Sequence, residues 1–174
     1  DEDMKGLAKR FFMLLHLFLK RHYEHVEVVF VRHTQRAEEV DERTFFEGRQ
    51  TGGTIVSSAL EEMLKIAEAR FPVADYNIYV AQASDGDNFS SDVERCTRLL
   101  AERVLPITQY MAYVEIEGGL RGRMGFSGNH GSDLWRGYAP IAEAQANLAM
   151  RRIAEAGDIF PVFRDLFSAE GDET

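Results

Sequence analysis

The chain has 174 residues, 45% of them hydrophobic and 28% charged, with one cysteine. That length lets a single domain bury its own core, and the lone Cys96 excludes an internal disulfide, in keeping with a reducing compartment. A net charge of -9 argues against non-specific nucleic-acid binding, which depends on neutralising phosphates with Lys and Arg, and favours cations and basic partners.

In chain order, Asp1, Glu2 and Asp3 offer capping groups and negative charge to a helix predicted to run to about Tyr23. Its run FFMLLHLFL, 11–19, is shorter than the roughly 20 residues that cross a bilayer. Lys9, Arg10, Lys20 and Arg21 flank the run, but no small-residue cleavage site follows, so it reads as a buried helix, with His16 in the core or beside a helix face, and not as a signal or membrane segment. HVEVVFVRH, 25–33, is β-branched and predicts a strand, followed by a short strand at 37–41 and a loop. The stripe of Ile55, Ala59, Met63 and Ile66 predicts a helix over 55–71, with Pro72 just past its end.

YNIYVAQA, 76–83, predicts a second strand, running into the turn sequence SDGDN. A helix over 92–105 stopped by Pro106 and a strong strand, YMAYVEI at 110–116, follow. The glycine-rich EGGLRGRMGFSGNHGSD, 117–133, predicts a mobile loop. A helix over 140–156 and a short one at 161–167 close a domain of 1–168, leaving 169–174 as a disordered tail.

Strands alternating with helices predict an α/β fold with a doubly wound, mainly parallel sheet and helices on both faces. Ligands of such sheets bind at the carboxyl ends of the strands, where both QTGGTIVSSAL, 50–60, and SDGDN fall. Three chemistries suit these turns. A glycine-rich turn entering a helix directs amides at a phosphate, with Thr54, Ser57 and Ser58 adding hydroxyls, but the lysine and spacing of a P-loop are absent. Asp85 and Asp87 resemble the paired aspartates of haloacid dehalogenase phosphatases, except that Phe89 stands where that motif wants Thr or Val. A divalent cation such as Mg²⁺ takes hard oxygen ligands, which a Thr hydroxyl and an Asp carboxylate on neighbouring loops supply. Taken singly, TGGT also reads as a capped helix start and Asp85 as an Asx turn.

Taken jointly, GGT opening a helix and SDGDN one strand later resemble the second and third parts of the metal-ion-dependent adhesion site of von Willebrand factor A domains. The resemblance implies Thr54 as the threonine ligand and Asp85 as the aspartate that binds Mg²⁺ or Mn²⁺ directly or through water. Ser84 and Asp87 are neighbours without a role in the motif. AKRFFMLLHLFLKRHY, VEVVFVRHTQ with EEVDE, YNIYVAQASDGDN and IFPVFRDLF extend the likeness over nearly the whole chain to the YeaH family of bacterial cytoplasmic proteins with a von Willebrand A-like domain.

That resemblance implies a metal-dependent protein-interaction module, not an enzyme, whose metal completes its coordination with a partner's carboxylate. It also implies association with a PrkA-like serine kinase in stress or sporulation physiology. The adhesion site's first part, Asp-x-Ser-x-Ser, follows the opening strand of such domains, whereas this chain begins DEDMKG, at the first helix. The expected fold therefore lacks its first, central strand, between those at 25–33 and 76–83. Either that strand lies upstream in the natural protein, or the unpaired sheet edges repack or join a second copy.

Elsewhere the expectations are structural. His22, His25 and His33 lack the i, i+4 spacing of a helical zinc pair and His130 lies in the glycine-rich run, so no transition metal is assigned. Cys96 reads as a buried thiol, and Phe11, Phe12, Phe18, Phe160 and Phe163 as core or docking residues.

Overall fold

The computed structural model describes residues 2–33, 36–48, 55–86, 88–117 and 131–167. The element order is α1 (Glu2–His22), β1 (Phe30–His33), β2 (Ala37–Val40), α2 (Glu42–Glu47), α3 (Val56–Arg70), β3 (Tyr79–Ser84), α4 (Ser90–Leu99), β4 (Tyr110–Ile116), α5 (Asp133–Ala144), β5 (Leu148–Ile153) and α6 (Ile159–Phe167). A π turn, Leu100–Val104, and a 3-10 turn, Leu105–Ile107, extend α4.

The expected mixed α/β architecture is present, with a parallel sheet in the order β3-β4-β5. β4 is its middle strand, and its residues from Met111 to Ile116 are all buried. Successive side chains of a strand point to opposite faces, so β4 needs a cover on each side. Met111 and Tyr113 pack with Leu60 and Leu64 of α3, Leu100 after α4, and Leu134 and Tyr138 of α5. Ala112, Val114 and Ile116 face Phe11 and Leu15 of α1 and Ile159, Phe163 and Leu166 of α6. The apolar run of α1 is thus a helix buried along one side, with Met13 and Leu17 exposed, and no helix among the described residues is long and apolar enough to cross a membrane.

Several expected elements differ. β1 and β2 form a separate antiparallel pair, with Phe30 opposite Val40 and His33 opposite Ala37, and do not join the parallel sheet. β1 keeps four of the nine residues expected, because a strand persists only where a partner takes its backbone groups and β2 reaches only Phe30. The loop expected after β2 holds α2, capped by the Asp41 carboxylate, which accepts from the Thr44 amide at 2.7 Å.

The expected helix over 140–156 is replaced by α5, which begins seven residues before Pro140, and by strand β5. Ala149, Met150 and the arginines of LAMRRI are good helix formers, but pairing with β4 (Met111 to Leu148, Ile116 to Ile153) overrides that preference. Of the phenylalanines expected as core or docking residues, Phe11 and Phe163 are buried and Phe160 is exposed. His16 is buried, its Nε2 2.9 Å from the Glu42 carboxylate on α2 and its ring edge-on to Phe30.

Phe11 has no exposed surface, and its ring lies 6.5 Å from that of Phe163 and 6.4 Å from that of Phe167. Phe11→Ala is expected to cost about 3–4 kcal/mol in transfer and cavity energy. Urea unfolding would show this as a lower midpoint at an unchanged slope.

Candidate functional site

The carboxyl end of β3 delivers Ser84, Asp85 and Gly86 to one edge of the sheet. Asp85 is exposed there, whereas Gly86 is buried. Gly86 has a φ of 77°, and a Cβ at that position would lie 2.5 Å from Cβ of Ser132 and 3.1 Å from the Glu115 carboxyl carbon. Only glycine meets both conditions, left-handed backbone and contact with the next strand's edge. Its amide donates to Oγ of Ser84 at 3.0 Å, closing the turn directly beneath Asp85.

Behind Gly86 lies Glu115, 4% exposed. Its Oε2 accepts from the Tyr113 hydroxyl at 2.8 Å and from the Ser132 hydroxyl at 2.6 Å, and its Oε1 from the Ser132 amide at 3.4 Å. Ser132 Oγ also accepts from the Trp135 amide at 3.0 Å, capping α5. Burial, then the Glu115 charge and its hydrogen bond, raise the Tyr113 phenol well above its ordinary range, so it remains a donor. This carboxylate ties the end of β4 to the start of α5.

A second carboxylate fixes the start of α3. Asp92 Oδ2 accepts from the Ser57 amide at 3.0 Å and its Oδ1 from the Ser57 hydroxyl at 2.5 Å, while Oδ2 also takes the Cys96 thiol at 3.3 Å. Asn88 Oδ1 accepts from the Val56 amide at 3.3 Å. Burial opposes the charge on Asp92, but the bonds from Ser57, Cys96 and Asn88 outweigh it and hold this carboxyl below its usual range. Burial, followed by the charge of Asp92, drives the Cys96 thiol far up, so Cys96 is the inert thiol expected.

His33, at the end of β1, completes this edge. Its Nε2 lies 2.6 Å from the Ile55 carbonyl oxygen, which can only accept, so that nitrogen carries a proton and donates it. Burial lowers its pKa, opposed by the Ile55 carbonyl and by the charges of Asp92 and Asp85.

Of the expected site residues, Ser84 and Asp85 therefore lie at the predicted edge, next to the start of α3. Thr54, Asp87, the TGGT turn, most of the run 117–133 and the tail 169–174 lie outside the described residues. Ser57 and Ser58, the other hydroxyls considered for a phosphate, donate to Asp92 and to the Ile55 carbonyl at 2.7 Å. Among the described residues, no group of three His, Cys, Asp or Glu side chains is arranged to hold a metal. Sequence reasoning did not single out Glu115, Asp92 or His33 as parts of this edge. A lone Glu near the end of an otherwise apolar strand, just before a glycine-rich run, was the available signal for Glu115.

The family model described as "Protein of unknown function (DUF444)" matches residues 1–170. A UPF0229 protein of Mesorhizobium japonicum is 53% identical over 171 residues, covering 98% of this chain and 39% of its own length. UPF0229 proteins of Rhizobium meliloti and Bradyrhizobium diazoefficiens are 52% and 54% identical, over 97% and 96% of this chain and 39% and 38% of theirs. The chain thus spans about two fifths of the length of these bacterial relatives. No solved structure matches it.

Removing the Asp92 carboxylate strands the Ser57 amide and hydroxyl, and Asp92→Ala is expected to cost about 2 kcal/mol in urea unfolding. The sign for His33 follows from its lowered pKa. Below the ordinary value of 6.5 the unfolded chain takes up a proton that the folded His33 refuses, so stability present above that pH is lost on acidification towards the folded pKa. Unfolding midpoints between pH 7.5 and pH 5.5 are expected to fall, and to fall less in His33→Gln.

Proposed function

The chain belongs to the DUF444 family of proteins of unknown function, and we propose that it forms most of a von Willebrand factor A-like, metal-dependent protein-interaction module. The observation that carries this reading is the placement of Asp85. It is exposed at the carboxyl end of a parallel strand, close to the start of α3, and its backbone lies in the turn closed by the Gly86 amide on Ser84 Oγ. Residues at such strand ends meet ligands in open α/β sheets.

The donor chemistry suits a hard cation. Asp85 offers carboxylate oxygen and Thr54, immediately before Ile55, a hydroxyl, which are ligand types that Mg²⁺ and Mn²⁺ take together with waters. Two side chains do not make a complete site, and the chain holds no Asp-x-Ser-x-Ser run. The remaining oxygens would come from polypeptide beyond these 174 residues, from waters and from an acidic residue of a partner. When bound, the cation would supply a point of attraction for that partner's carboxylate, while Asp85 and the Gly86 turn orient it.

In this reading the module acts inside the cell, with a PrkA-like serine kinase as the partner proposed from the family resemblance. The Ser57 and Ser58 hydroxyls and the Val56 and Ser57 amides already serve partners within the fold, so they are not available to a phosphate.

Calorimetric titration of Mg²⁺ and Mn²⁺ into the full-length Mesorhizobium japonicum relative tests the proposal. Binding is expected, and alanine at the position of Asp85 is expected to abolish it. A full-length protein that binds neither metal, or binds equally well with that alanine, would overturn it.

A further inference from the structure

Ile55 and Phe89 hold the N-cap positions of α3 and α4, and neither makes a side-chain cap. Helix starts favour Ser, Thr, Asp or Asn there, because a side-chain oxygen takes one of the first unpaired amides, and large apolar residues are among the poorest choices. Both side chains are moreover exposed, Ile55 at 43% and Phe89 at 58%. Neither belongs to the two cores. Ala59, Met63 and Ile66, the rest of the apolar stripe read for α3, line a cavity of about 1240 Å³ between β1 and β3, but Ile55 and Phe89 do not.

The fold has moved the capping duty elsewhere. The Val56 amide donates to Oδ1 of Asn88 at 3.3 Å and the Ser57 amide to Oδ2 of Asp92 at 3.0 Å, so α3 is capped from the start of α4. Asn88 is steadied in turn by its Nδ2, which lies 3.7 Å from Cys96 Sγ. Ile55 and Phe89 each stand one residue from the Val56–Asn88 bond, which places them at neighbouring positions on one rim. Asp85 stands at the same rim, four residues before Phe89. His33 links it to Ile55, bonding the Ile55 carbonyl at 2.6 Å while lying within reach of the Asp85 charge. Two helix starts thus carry exposed apolar side chains that serve neither cap nor core, on a backbone fixed from outside.

We infer that Ile55 and Phe89 are the apolar half of a docking surface for another protein, whose matching segment carries a branched or aromatic side chain next to a carboxylate. The apolar side chain packs on Ile55 and Phe89, and the carboxylate reaches the cation proposed at Asp85. The carboxylate half rests on that cation; the apolar half does not. Exposed aromatic residues on a rigid support are the usual anchors of protein interfaces. A second copy of the chain fits poorly, because two such rims brought face to face would set Asp85 against Asp85. An anionic membrane fits poorly as well, against a net charge of -9.

Two blocked, neutral peptides, Gly-Leu-Gln-Leu-Gly and Gly-Gly-Gln-Gly-Gly, test the apolar half on this chain in EDTA. NMR shifts of the amides at 55–58 and 88–92 are expected to report binding of the leucine peptide at least about tenfold tighter than that of the glycine peptide. Phe89→Ser and Ile55→Ser are each expected to weaken it at least about threefold. Both should leave the urea midpoint unchanged or higher, since serine is a favoured N-cap residue. Equal binding of the two peptides, or leucine binding indifferent to both substitutions, would refute the docking surface. So would a lowered urea midpoint in both variants, which would make the two residues parts of the fold, or a Phe89-dependent dimer in sedimentation, which would assign the rim to a second copy. Phe89-dependent binding to phosphatidylglycerol vesicles without peptide binding would assign it to a membrane instead. With Mg²⁺ and the full-length Mesorhizobium japonicum relative, Glu in place of the peptide's Gln is expected to tighten binding at least about tenfold. Equal binding of those two peptides, with the leucine preference intact, would count against the cation alone.

Discussion

β4 is buried along nearly its whole length, and a strand buried on both faces must be apolar on both, must be flanked by paired neighbours and must be covered by helices on each side. YMAYVEI meets the first demand except at Glu115, and β3 and β5 meet the second. The third fixes the chain's longest apolar run. α1 cannot stand alone in water with Phe11 and Leu15 exposed, and the Ala112, Val114 and Ile116 face, together with α6, provides its cover. α3, α4 and α5 are recruited to the opposite face by the same requirement.

The cost of burying polar groups governs the edge of this sheet. A carboxylate withdrawn from water requires donors, and Glu115 and Asp92 each collect them from two elements that would otherwise be held only by apolar contact. Glu115 joins β4 to the start of α5 through Ser132; Asp92 joins α4 to the start of α3 through Ser57. Both clamps sit at helix starts, where unpaired amides seek acceptors. The glycine at 86 is the necessary complement, because any side chain there would collide with Ser132 and Glu115.

Much of this was legible in the residues. β-branched and aromatic runs located β3 and β4, the 3.6-residue stripe located α3, and Pro106 marked the 3-10 turn where the helical run that begins with α4 ends. β5 was not legible, because LAMRRI has the composition of a helix and becomes a strand only through the free edge of β4. α2 was hidden for a different reason: six residues are too few to establish a period, and the Asp41 cap was the one local sign. The site divided similarly. Strand-end position pointed to Ser84 and Asp85, whereas the roles of Glu115, Asp92 and His33 arise from partners 17, 35 and 22 residues away, which no local pattern encodes.

The difference in exposure between Glu115 and Asp92 on the one hand and Asp85 on the other bears on what this edge can do. A carboxylate that already accepts several hydrogen bonds has little to offer a ligand, and withdrawing it would leave its donors unsatisfied. Glu115 and Asp92 are of this kind, so their contribution is rigidity: they hold the starts of α5 and α3 at fixed positions around the β3 turn. Asp85 stands on that support with its side chain exposed. Preorganised donors on rigid elements lose less conformational freedom on binding than donors on loose loops. An edge built in this way can therefore bind with few ligands of its own, provided that the remainder arrive on polypeptide equally well held.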